Sequence, residues 1–386
     1  MRTSTCSPTC GERRRGGGRL LAIGLLLATA VVALAPSAVR ARAGTTPLPD
    51  RLTDREFWGL VERCSEANGF FRSDNLVSNE RLFQNVVPAL RQFSRGGVYL
   101  GVAPDQNFTY ILALEPSIAF IVDIRRGNLD AHLMYKALFE LSADRAEFLS
   151  RLFSRRRPAR LGANATAGDL FAAFAAEAPD EGLFDANLKA IDARLTATHG
   201  FALTPDDLEG IAYVYGMFHR FGPDLTYSSS TQGNRGGGRG GRGARGMPTY
   251  GELQTTVAED GRDEAYLGSE AHFQQLKALE SKNLIVPVVG DFAGPKALRS
   301  VGEWLAGHGA SVSVFYVSNV EQYLFQDGVA ANFYANVATL PLDDQSAFLR
   351  SARGLDVLDP IRPFLADFTA GRIGAYADVT RRGRSE

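Results

Sequence analysis

The sequence predicts an α/β protein: a mostly parallel sheet with helices on both faces and a helical insertion part-way along. Three observations predict it. The apolar runs Val98–Val102 and Ile118–Asp123 flank a short helical stretch, and strand–helix–strand in under 30 residues implies parallel pairing with a right-handed crossover. The same alternation returns at Leu284–Val289 and Val312–Val317, around a helical Pro295–His308. The long stretch between these two halves is Ala-rich and reads as helical.

Each element has a local reason. Thr53 with Glu56 forms a capping box, and Phe57, Leu60, Val61 and Cys64 follow at helical spacing. A second helix is read from Asn79-Glu80, with Leu82, Phe83, Val86, Val87 and Leu90 inward, until Arg95-Gly96-Gly97 breaks it. The strand at 98–102 leads through a turn at 103–107 to a helix over 108–114, which ends before Pro116. After the strand at 118–123 one long helix is read through Leu129, Leu133, Leu138, Phe148 and Phe153, ending at Arg155–Pro158. Residues 158–227 are helical, with a cap at Thr204. The string 228–246 is so rich in Gly and Arg that it can form no core. Pro287 is a blemish in the strand at 284–289, and a short helix is read over 319–325. Residues 341–370 read as mostly helical and Arg372–Val379 as a final strand. The resulting division is an N-terminal segment 1–43, a first α/β part 44–157, an insertion 158–282 and a second α/β part 283–386.

Composition narrows the class. The 386 residues carry 42 basic and 43 acidic groups, are 45% hydrophobic and 22% charged, and so are those of a globular protein. Only five of the basic residues are Lys. Without residues 1–43 the balance is 35 basic against 42 acidic groups, or −7, which argues against nucleic acid or an anionic membrane as partner. In residues 1–43, Arg13–Arg15 and Arg19 precede the uncharged run Leu20–Ala35, and Ala41-Arg42-Ala43 follows as a small-x-small site. That is an export signal, and an exported (periplasmic or extracellular) chain is expected. The alternatives are a retained anchor, which would touch the membrane only through residues 20–35, or a cytoplasmic protein with a start codon placed too far upstream. With the signal removed, Cys64 stands alone and no internal disulfide can form.

The candidate site follows from the fold. Ligands of open parallel sheets bind beyond the carboxyl ends of strands, where strand order switches. Four such ends are readable: Gly101 with Asp105, Gln106 and Asn107; Asp123; Gly290 with Asp291; and Asn319 after the fourth strand. Asn75, Ser78, Asn79 and Glu80 precede the first strand and are placed to fold over its end. Arg125 and Arg126 form a candidate clamp for a carboxylate or phosphate, with Tyr316, Glu321 and Tyr323 opposite. The bland alternatives are local capping for 75–80, an Arg125 or Arg126 ion pair for Asp123, a turn role for Asp291, and ion pairs with Glu140 or Asp144 for the arginines. A third arrangement sets Asp291, Glu321 and Arg126 around a small anion. No GxSxG elbow, P-loop or HExxH is present, and the five His are dispersed, so no metal is expected.

This pattern resembles the S-adenosylmethionine-dependent methyltransferase fold, a Rossmann-like architecture. The resemblance implies that Gly101 holds the methionine part, Asp123 the ribose, and Asp291 the adenine region. It departs from that pattern where Ala103 and Gln106 replace glycines, and in the long stretch between the second and third strands. Longer strings, among them GGVYLGVAPDQNFTYI (96–111), FIVDIRRGNL (120–129) and VVGDFAGPKALR (288–299), resemble an uncharacterised bacterial family with such a core. That second resemblance implies the fold and no activity. A small-molecule ligand is expected, with S-adenosylmethionine the first candidate cofactor. The alternative is an exported, non-catalytic binding or scaffold protein.

Overall fold

The computed structural model describes residues 46–382 apart from 94, 160, 163, 228, 230–246, 353 and 354. The N-terminal segment 1–43 and nearly all of the Gly/Arg-rich string lie outside the described residues, which belong to one compact unit. Six strands form one sheet: β1 Val98–Gly101, β2 Ile118–Asp123, β3 Ile285–Val289, β4 Val312–Ser318, β5 Leu342–Ala352 and β6 Leu355–Pro360. Their order is β3-β2-β1-β4-β5-β6; every pairing is parallel except β5 with β6.

β1, β2 and β3 are buried along their whole length, as expected of parallel strands covered on both faces. Side chains of alternating parity reach the two layers. Tyr99 and Tyr316 meet helix Gln106–Leu114 through Asn107 and Tyr110. Phe120 packs on Trp304 of helix Ala297–Gly307, on the other side. Helix Arg126–Leu141 lies on the first side, against β2 and β3 and between helices Pro205–Phe221 and Glu270–Ser281. The insertion is therefore built onto the sheet's own helical layer. β3 is an edge strand, which is where Pro287 can sit without breaking an inner ladder.

Four readings are corrected. Asn79-Glu80 starts no helix: the chain is irregular to Leu82, then takes a 3-10 turn Phe83–Val86 and one helical turn Val87–Leu90. Pro88 prevents one continuous helix, because it would clash with the Gln84 carbonyl. The long helix is two, Arg126–Leu141 and Arg145–Phe153, because the Ser142 hydroxyl bonds back to the Leu138 carbonyl and Asp144 caps the Glu147 amide. Residues 341–370 begin as the β5–β6 hairpin and turn helical only at Ile361–Thr369. Helix-forming composition lost there to pairing with β4, which buries Ala347, Phe348 and Leu349. The final strand is instead a helix, Tyr376–Arg382.

A charged cluster ties the first helix to this core. His199 Nδ1 meets Asp54 Oδ1 at 2.8 Å and its Nε2 meets Glu140 Oε2 at 2.6 Å. The buried Lys136 ammonium donates to Glu140 Oε1 at 2.8 Å and to the Glu280 carbonyl. Burial works against the imidazolium, but the Glu140 and Asp54 carboxylates outweigh it, so His199 titrates above its ordinary value. A raised folded pKa stabilises fully below the unfolded value of about 6.5 and is lost as pH rises through the folded one. Urea unfolding should therefore show stability falling above pH 6.5 by on the order of 1 kcal/mol, and His199→Gln should remove that slope.

Candidate functional site

The carboxyl ends of β1, β2, β3 and β4 open into one cavity of about 180 Å³. It lies where the strand order reverses, between β1 and β4. Its floor is formed by Val102–Pro104, Asp123–Arg125, Gly290–Phe292 and Ser318–Val320, the residues that leave the four strands. The irregular segment before β1 closes it from above with Phe70, Phe71, Asn75 and Val77–Glu80. Tyr227, Tyr323, Leu324, Asp327 and Val329 complete the wall, and Phe70 stands 86% exposed at the rim.

Of the residues singled out from sequence, Asn79, Glu80, Gln106, Asp123, Arg125, Asp291, Tyr316, Asn319 and Tyr323 are brought together here. Gly101, Asp105, Asn107, Arg126 and Glu321 are not. Gly101 has a packing reason: a Cβ there would lie 2.0 Å from Asn107 Oδ1 and 2.8 Å from the Tyr99 ring. Asn107 is the clamp of the first turn. Its Nδ2 donates to the carbonyls of Val102 (2.8 Å), Ala103 (3.1 Å) and Pro104 (2.6 Å), and its Oδ1 accepts from the Tyr99 hydroxyl at 2.8 Å. That clamp holds Ala103 at a φ of 66°. Asp105 points into the interior, accepts from Gln254 Nε2 at 2.9 Å, and is pushed by burial to about 7.

The arginine pair does not act as a clamp. Arg126 turns toward the capping carboxylate Asp207 and binds it through Nε and Nη2. Arg125 stays at the cavity and pairs with Asp123: Oδ1 accepts its backbone N–H at 2.9 Å and lies 3.3 Å from its Nε. The two guanidinium groups are engaged separately, Arg126 by Asp207 and Arg125 by Asp123 and the Asp74 carbonyl. Glu321 is also spent internally, on Arg350 (Oε2 to Nε 2.5 Å, Oε1 to Nη2 3.0 Å) and the Tyr334 hydroxyl at 2.7 Å. The anion arrangement of Asp291, Glu321 and Arg126 is thereby overturned.

Asp291 partly serves its own turn, with Oδ1 accepting from Ala293 N at 2.9 Å. The following helix is capped from elsewhere. Glu66 Oε1 accepts from the amides of Lys296 and Ala297, each at 2.8 Å, and Oε2 from Asp291 N at 3.1 Å. Gly294 permits this approach, since a Cβ there would sit 2.5 Å from Glu66 Oε2.

Glu80 is the most heavily bonded side chain of the cavity. Its Oε2 accepts from Gln106 Nε2 at 2.6 Å and Tyr316 at 2.9 Å, and its Oε1 from Ser318 at 2.5 Å. Gln106 also donates to Tyr110, which donates to Asp356 Oδ2, both at 2.6 Å. Burial raises Glu80; burial and the Glu80 charge together raise Asp356 well above the ordinary range. Sequence reasoning missed Asp356 because its strand was read as helix, and missed Phe70, Phe71 and Tyr227 because no motif marks them. Cys64 and His132 lie outside the cavity wall; burial lifts the thiol to about 11 and lowers the imidazole to about 4. Among the described residues, no group of three or more His, Cys, Asp or Glu could hold a metal ion.

Residues 75–169 and 244–360 match the model of a domain of unknown function, DUF7790. These are more than half of the chain, and the chain belongs to that family. No curated protein matches it.

The first turn depends on one side chain. Asn107→Ala should cost about 3 kcal/mol in urea unfolding, because three carbonyls and the Tyr99 hydroxyl lose their partner at once.

Proposed function

We propose that this chain is a methyltransferase-like protein of Rossmann type that binds a nucleoside cofactor of the S-adenosylmethionine class in the β1–β4 crevice. The carrying observation is that four strand ends converge on one cavity with Asp123 and Asp291 both in its wall. Asp123 ends β2, where a ribose-binding acid sits in doubly wound nucleotide-binding sheets. Two hydrogen bonds from Arg125, backbone N–H to Oδ1 at 2.9 Å and Nη2 to Oδ2 at 3.5 Å, orient its carboxylate and leave lone pairs for ribose hydroxyls. Asp291 lies beyond β3, on the adenine side of that reading. The strand order is the doubly wound one.

Charge supports the same ligand. The charged residues of the wall are Glu80, Asp123, Asp291 and Asp327 against Arg125 alone, and Phe292, Tyr316 and Tyr323 supply ring faces. Carboxylates and aromatic rings favour a cation such as a sulfonium. The enclosed space of about 180 Å³ is below the roughly 300–1,000 Å³ of drug-sized sites, so a nucleoside would fill it and extend past the Phe70 rim.

A second reading is an exported small-molecule-binding or scaffold protein without turnover. The Leu20–Ala35 run behind its arginines favours it, because the cofactor is made in the cytosol. Fractionation of cells expressing the full chain separates the two: mature protein shortened by about 43 residues and found outside the cytosol supports export, and a full-length cytosolic protein overturns it.

Calorimetry with S-adenosylhomocysteine tests the cofactor. Binding should be measurable in the micromolar range and weaken at least tenfold, about 1.4 kcal/mol, in Asp123→Asn. No heat with a protein whose thermal melting is intact overturns the cofactor assignment.

A further inference from the structure

Glu80 lines the cavity and is linked through Gln106 and Tyr110 to a second carboxyl, Asp356, which lies behind the wall. Glu80, 9% exposed, faces the cavity, and the partners of its two oxygens are Gln106, Tyr316 and Ser318, all neutral. Asp356, half-buried on β6, lies one residue further along the same network. Tyr110 donates to it, and the Ser351 hydroxyl is within reach of both carboxyls. The titratable groups that face Glu80 are Tyr99 from β1, Tyr110 from helix Gln106–Leu114, Tyr316 from β4, Asp356 from β6 and Tyr376 from helix Tyr376–Arg382. All are neutral or acidic. Apart from Asp105, which is bonded by the neutral Gln254, every other buried carboxylate described above has a cation or a capped amide; this pair has neither.

Two carboxylates in a dry site without a cation cannot both stay ionised, so the pair holds one proton. The donors decide which keeps it. Three of them converge on Glu80, and a carboxylate is the acceptor-only form that they suit. Asp356 is left with the proton. Glu80 is then an ionised carboxylate with little water, in the wall of the cavity, with its donors set to stabilise it.

We propose that Glu80 is the proton acceptor of this cavity, with Asp356 as the protonated partner that fixes its charge. The proposal rests on reading the cavity as a ligand site. The ligand it calls for presents a hydroxyl, an amine or an activated C–H against Glu80. The proton passes from that group to a Glu80 oxygen, and its bonding electrons remain on the ligand atom. Glu80 becomes a carboxylic acid, while Asp356 keeps the proton it already holds. In a methyl transfer the atom so exposed is the one that attacks. Glu80 also lines a second cleft with Asn79, Arg81, Asn319, Gln322, Ser351 and Tyr376, where Arg81 is the one cation and pairs with Glu252, and this cleft gives an accepted proton a way out that does not cross the first cavity.

Infrared difference spectra of the full chain between pH 5 and pH 9 test this without any ligand. At pH 7 a protonated-carboxyl band is expected that Asp356→Asn removes, beside those of Asp105, Asp130 and Glu280, which burial raises to about 7, 8 and 8 and which neither substitution touches. A second should grow in as the pH falls, and Glu80→Gln should remove it. Transfer to heavy water should shift the second band within minutes, because Glu80 exchanges with cavity water. A pH 7 spectrum left unchanged by Asp356→Asn, a falling-pH change left unaltered by Glu80→Gln, or a Glu80 band unshifted after hours in heavy water would each overturn the proposal. Both variants are near-isosteric, and thermal melting checks their folding; the heavy-water shift needs no variant. Failure of S-adenosylhomocysteine to bind removes the nucleoside reading and leaves these spectra unchanged.

Discussion

Neighbouring strands β1 and β4 send their connections to opposite faces of the sheet, and so leave their own carboxyl ends uncovered. Everything at the site answers that gap. The backbone that emerges there has polar groups that need partners, and a buried loop without them would be costly. Asn107 supplies the carbonyls of the first turn, Glu66 the amides of the third, and Asp123 the amide that follows β2. The segment from Glu66 to Glu80 is irregular because its work is to reach across strand ends rather than to follow one. It delivers a carboxylate at each end, Glu66 to a helix start and Glu80 to the cavity wall.

Away from the cavity several cations are buried and paired. Lys136, Arg145, Arg155 and Arg350 are all buried, and their donors go to carbonyls and carboxylates of distant segments. Arg350 also lies against the rings of Phe348 and Phe364, whose centroids are each 4.2 Å from its guanidinium. Breaking such a pair from one side strands a buried charge, at about 3–5 kcal/mol. These contacts fasten the β5–β6 hairpin to helix Val320–Gln326 and the inserted helices to the sheet. The cavity is the exception, since it keeps an excess of carboxylate that no internal cation neutralises. That local excess bears on the ligand in a way that the whole-chain charge does not.

Much of this was legible in the sequence because strands and their ends are local features. The runs at 98–102, 118–123, 284–289 and 312–317 are apolar enough to be read alone, and the polar residue after each strand follows at once. Asp123 and Asp291 were found that way, and Asn79 and Glu80 by their place just before β1. What was not legible depends on partners far along the chain. Arg126 finds Asp207 81 residues away, and Arg350 claims Glu321 29 residues away. Spacing carries no trace of either. Gly101 misled because a glycine at a strand end suits a ligand and a packed side chain equally; only the position of Asn107 decides. The β5–β6 hairpin was hidden by residues that favour helices, and Asp356 was hidden with it.

The floor and the rim of the cavity have different standing within the family. The matched residues, 75–169 and 244–360, contain Glu80, Asp123, Asp291, Tyr316 and Asp356. Phe70, Phe71 and Tyr227 fall outside them, as does the N-terminal apolar run. The carboxyls of the strand ends and of the Glu80 network therefore belong to the part of the chain that matches the family. The aromatic rim and the address are particular to what surrounds it. An exported chain would meet little of a cofactor made in the cytosol, but the apolar run that suggests export has no part in the floor. The conflict between compartment and cofactor is thus a question about this chain's first residues, and the carboxylates at the strand ends can be judged without it.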